Sequence, residues 1–155
     1  MVEKKQVYEM DVDSLAEDIG RVQHRFGVLM TAMHLYVKHD TRIVVTLPED
    51  GANTGTVTTV LGTVTLELGY SHDVKDAVGI VKLSHALRGL HGMEQRPIGA
   101  FRIHPYGDSQ DAEGDHLAGD SYGIFGATTG GQAIGSLMQA QMRAHVRDAA
   151  VYLDA

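Results

Sequence analysis

The chain has 155 residues and a formal charge of −7, with 20 acidic against 13 basic side chains, which disfavours the Lys- and Arg-based capture of phosphate backbones. It contains no cysteine, which excludes disulfides, thiolate metal sites and thiol nucleophiles, and a hydrophobic share of 43% is enough for one core without staples. The expectation is a single globular domain over residues 1–155 that binds no nucleic acid.

The opening stretch, MVEKKQVYEMDVD, has two lysines but no apolar run behind them. Neither a secretory signal nor a membrane anchor is expected, and the chain reads as cytoplasmic, or as part of a particle assembled there. Ser14 followed by Glu17 has the spacing of a capping box and predicts a helix start. Apolar residues then fall at Leu15, Ile19, Val22, Phe26, Leu29, Met33 and Tyr36, in alternating steps of four and three. Such a heptad seam predicts a helix of roughly 33 Å at 1.5 Å per residue. Gly20 and Gly27 flank it and would admit a second helix at close range, although each lowers helix propensity by up to about 1 kcal/mol.

RIVVTL, residues 42–47, is short and β-branched and predicts a strand, with PEDGANTG after it supplying turn residues. Val64, Leu66 and Leu68 alternate with Thr63, Thr65 and Glu67, the pattern of a strand with one wet face. Val57 has the opposite parity, so Gly62 marks either a bulge or a turn. SHDVKDAVGIVKLSHALRGLHG predicts a middle helix over residues 74–91, with Asp73 as N-cap, Ile80, Leu83, Leu87 and Leu90 on one stripe, and Gly92 as its stop. Val78 to Leu83 taken alone could be a strand.

Strands are expected at IGAFRIH and SYGIF, separated by the acidic stretch PYGDSQDAEGDHLAGD. The chain closes with a helix whose stripe is Ile134, Met138, Met142, Val146, Ala149 and Leu153. Together these elements predict an α+β fold: an antiparallel or mixed sheet with a long N-terminal, a middle and a C-terminal helix.

Several segments invite a chemical reading. GATTGGQA, residues 126–133, has the glycine spacing of a phosphate loop, but Gln132 and Ala133 stand where lysine and a hydroxyl are needed. A glycine hinge is the simpler reading; anion binding at Gly126, Gly130 and Gly131 is the alternative. Asp108, Asp111, Glu113, Asp115 and Asp120 do not follow a calcium-loop pattern. No two of the nine histidines stand four apart on a predicted helix, and no serine lies in a nucleophile elbow. No metal, cofactor or catalytic residue is assigned.

Two functions stay open. The first is a structural protein that forms homo-oligomers, or decorates a larger particle such as a virion or capsid, through Ile19, Val22, Phe26, Leu29 and Met33 with Gly20 and Gly27. The second is a small enzyme or ligand-binding domain with an anion or small-molecule pocket near residues 126–133. A membrane partner is not expected in either case.

Overall fold

A computed structural model describes residues 2–50, 52–72, 77–89, 92–106, 115–116, 123–125 and 129–154. Helix α1 spans Val2–Tyr36 and helix α2 spans Gly130–Asp154. Between them lie β1 (Val44–Thr46), β2 (Thr54–Thr59), β3 (Gly62–His72), β4 (Ala77–Gly89), β5 (Gly92–Ile103), β6 (Asp115–His116) and β7 (Gly123–Phe125). The strands form one sheet in the order β1-β2-β3-β4-β5-β7-β6. Its first five strands are an antiparallel meander, and β7 joins β5 in parallel. The architecture is therefore α+β.

The middle helix is not present: residues 77–89 are β4. Its register explains why. Val81, Leu83 and His85 are buried on one face, while Lys82 is exposed on the other, so the two-residue period governs this segment and the leucine stripe does not. Gly92 does not stop a helix; it sits at φ 118° opposite Gly89 and closes the β4–β5 hairpin. Gly62 plays the same part at φ 121° opposite Thr59, which makes this point a two-residue turn rather than a bulge. Val57 then faces Val64 directly across the hairpin. The bulge lies elsewhere, between Leu83 and Ser84, where β5 carries Pro97 and Ile98. Proline is tolerated there because β7 pairs with Ala100 and Phe101, and among the described residues no strand pairs with that edge of β5 at Pro97.

Both helices pack on the sheet face formed by Val57, Val64, Leu66, Leu68, Val81, Leu83, Phe101 and Ile103, all buried. Threonines populate the opposite face at Thr54, Thr58 and Thr63. Helix α1 crosses the inner face where the sheet offers glycine: Val22 sits against Gly79, and Met30 Cε lies 2.5 Å from where a Cβ on Gly55 would be. Its start departs from expectation. Ser14 is inside the helix, because the preceding residues include the good helix formers Glu, Lys, Gln and Met, and the helix runs back to Val2. At 35 residues it extends about 52 Å.

Helix α2 buries Ala133, Ile134, Leu137, Ala140, Gln141 and Ala144. Of its expected stripe, Ile134 is buried, Met138 is half-buried and Met142 is exposed. The four-residue step drifts round the helix, so a stripe read that way leaves the contact face within a few turns. The two helices meet at Gly130, which fits directly under the Ala32 carbonyl.

Candidate functional site

Helix α1 has two faces with different tasks. Asp18, Val22, Phe26, Met30, Met33 and Val37 form the buried stripe. Three of the residues expected at a subunit interface, Val22, Phe26 and Met33, are thus enclosed by the chain's own sheet. Ile19 and Leu29 are half-buried at the edge of this stripe, and Tyr36, which the heptad reading placed in line with them, is 66% exposed. The helix tracks the sheet with steps of four, from 18 to 22 to 26 to 30, which rotates the stripe away from a strict seven-residue seam.

The glycines lie on the other side. Asp13, Glu17, Gly20, His24, Gly27, Thr31 and His34 repeat in steps of four and three, on a line about 145° round the helix from the buried stripe at 100° per residue, and Lys38 follows four residues on in the turn just past the end of the helix. A Cβ at Gly20 or Gly27 would meet nothing within 4 Å. Beside this line stand Val28 and Leu35, seven residues apart and 53% and 59% exposed. An apolar pair thus stands beside two small residues on the outer side of the helix. Leu47, Pro48, Glu49, Asp50, Ala52 and Asn53 form one wall of a depression of about 440 Å³ that includes Gly20, His24, Gly27 and Thr31.

A second depression of about 500 Å³ lies next to it, between α1 and the exit of β5. Arg21 spans its rim: the guanidinium bonds Glu17 at 3.1 Å and stacks 4.7 Å from the centre of the Tyr106 ring. The bond to Glu17, and then the field of Tyr106, hold this guanidinium above its ordinary pKa. Arg25 donates to the His104 carbonyl at 2.7 Å and fastens the helix to the end of β5. Tyr106, half exposed, is held above the ordinary phenol value by partial desolvation first and by the neighbouring Asp18 carboxylate second, with Arg21 acting in the opposite sense. Among the described residues, neither oxygen of the buried Asp18 carboxylate receives a hydrogen bond.

Structure at the glycine turn answers the question raised by GATTGGQA. Gln132 N donates to Thr129 Oγ1 at 3.1 Å, and Thr129 N donates to Gln132 Oε1 at 3.2 Å. The glutamine in the lysine position is therefore one half of a capping box, and two of the amides an anion would need already have partners. Gly130 is buried against the Ala32 carbonyl, and Gly131 faces the Tyr36 ring. An anion there would meet a carbonyl oxygen. Gly126 lies outside the described residues, as do Asp108, Asp111, Glu113 and Asp120, while Asp115 begins β6.

One polar cluster went unread in the sequence. Gln141 is fully buried; its Oε1 accepts from Thr59 Oγ1 at 2.7 Å, and its Nε2 donates to the Gly62 carbonyl at 3.1 Å. His145 Nε2 lies 3.1 Å from the Leu61 carbonyl, and its ring meets that of His85 edge-on at 5.3 Å. The cluster ties the β2–β3 turn to α2. It acts as a structural clasp between the turn and the helix.

Among the described residues no group of three or more His, Asp or Glu is placed to hold a metal ion, and no helix is long and apolar enough to cross a membrane. The sequence marks the outer face of α1 only in part: Gly20 and Gly27 stand out beside the seam, whereas Val28, Thr31 and Leu35 do not, because the stronger apolar stripe dominates the pattern. No family model, no curated protein and no solved structure matches this chain.

Proposed function

We propose that this chain is a structural subunit that assembles with other protein subunits through the outer face of α1. The observation that carries this reading is the outer face of that helix: Val28 and Leu35 stand more than half exposed beside two glycines whose open side touches none of the described residues. Glycine inside a helix lowers its stability by about 0.8–1.0 kcal/mol relative to alanine. Among the described residues no contact offsets that loss at Gly20 or Gly27, whereas Gly130 of α2 receives a neighbour. A partner helix at close range would provide the offset, and would cover the apolar pair.

Solution mass tests the proposal. Light scattering after size exclusion is expected to give a defined oligomer, or a stoichiometric complex with a second subunit. The double substitution Val28→Asp with Leu35→Asp is expected to dissociate it while the circular dichroism spectrum stays unchanged. An assembly indifferent to both substitutions, or a chain that associates with nothing, overturns the reading.

A further inference from the structure

Resting on the assembly reading, we propose that the occupant of this face is a second copy of the chain, with the two α1 helices antiparallel about a two-fold axis that crosses the outer face midway between His24 and Gly27. The charges and sizes along the outward line carry this. Its N-terminal end holds Asp13 and Glu17, and its C-terminal end holds His34 and Lys38, with Gly20, His24, Gly27 and Thr31 between them. An antiparallel two-fold places residue i opposite residue 51 − i. Asp13 then faces Lys38, Glu17 faces His34, Gly20 faces Thr31 and His24 faces Gly27. Each glycine meets a larger side chain, and each acid meets a base.

A parallel arrangement does the reverse. It sets Asp13 on Asp13, Glu17 on Glu17 and Lys38 on Lys38, and leaves glycine against glycine, so it juxtaposes like charges and empty space. Local geometry leaves the acids available: Glu17 gives Oε1 to Arg21 and retains Oε2, and both Asp13 and Lys38 are exposed. Val28 and Leu35 lie on one flank of the line and become covered as the helices close. An interface of this kind is isologous and stops at two copies.

Charge exchange and one distance test the orientation. Asp13→Lys and Lys38→Asp each turn two attractive pairs into two repulsive ones and are expected to raise the dimer Kd about tenfold or more at low salt. An equimolar mixture of the two variants is expected to recover the dimer, since each pair is then again opposite in sign. The native sequence has no cysteine, so Asp13→Cys takes a single spin label. Its label-to-label distance is expected near 40 Å, because 25 residues separate positions 13 and 38 and each rises about 1.5 Å. A distance under about 20 Å, the value set by helix spacing in a parallel pair, overturns the proposal. So does a dimer that ignores both charge variants. In either case the assembly reading survives. A wild-type chain that stays monomeric alone but captures a different subunit overturns the self-pairing, and one that associates with nothing overturns both.

Discussion

Replacing Gly20 and Gly27 together by alanine separates what these residues do for the helix from what they do for an interface. Neither site has an atom within 4 Å of the new methyl, so the isolated chain gains helix propensity without a clash. The gain is about 0.8–1.0 kcal/mol per site, or about 2 kcal/mol for both. For a domain of this size that corresponds to a rise in Tm of about 4–8 °C. In an antiparallel pair the same two methyls appear in both copies, four in all, at the closest approach of the helices. Overpacking costs about 1–3 kcal/mol per insertion, so even its lower end weakens the dimer about a thousandfold. Thermal melts below the dissociation constant read the first effect, and sedimentation across a concentration series reads the second. Gly135→Ala is the control: it is exposed, has nothing within 4 Å and lies in α2, so it should raise Tm without touching association. If the Gly20/Gly27 variant associates as tightly as the wild type, close approach at this face is refuted. If the dilute variant melts lower, the space beside these glycines is filled and the geometry is refuted.

Gln141→Ala should lower stability by about 2–4 kcal/mol in urea unfolding, since it empties a fully buried site and strips partners from Thr59 and the Gly62 carbonyl. In the Thr59→Val, Gln141→Ala double variant the two losses should be less than additive, and strict additivity would show that the clasp does not act as a unit. Tyr106 gives a pH test. A raised phenol pKa means the folded state holds the proton more tightly, so this contribution is intact below the ordinary value of 10.0 and is lost as pH rises through the folded one. Absorbance at 295 nm, wild type minus Tyr106→Phe, should therefore titrate above pH 10, and a difference centred at or below 10 would contradict the partial desolvation beside Asp18.

The fold was legible wherever one signal acted alone. Val64, Leu66 and Leu68 alternate against threonine and glutamate with nothing to compete, and they became β3. Residues 77–89 carried two signals. Their leucines stand at helical spacing, and their Val and Ile residues favour a strand. Pairing decided between them: β3 on one side and β5 on the other supply a partner for nearly every backbone group of β4, a long-range effect that no window of the sequence contains. The helix start failed for a related reason. A capping box satisfies amides only at a helix end, and residues 2–13 continue the helix through Ser14, so its hydroxyl has no free amide to bind.

The candidate site shows the same competition on one helix. Two apolar or small patterns run along α1 with nearly the same repeat, one through Val22, Phe26 and Met30 and the other through Gly20, Gly27 and Thr31. A heptad reading merges them, because Gly20 and Gly27 stand only a residue or two from members of the apolar line. The structure separates them by their angle about the helix axis: the first ends in the core at 2% exposure or less, and the second faces outward. Burial of the apolar line removes the ordinary explanation for the glycines, since the core does not need them small. What remains is a surface whose smallest residues sit at its centre, its charges at opposite ends with opposite sign, and its apolar residues on one flank. Each of these three features has a separate physical origin, and the proposed antiparallel copy of the same helix accommodates all three at once.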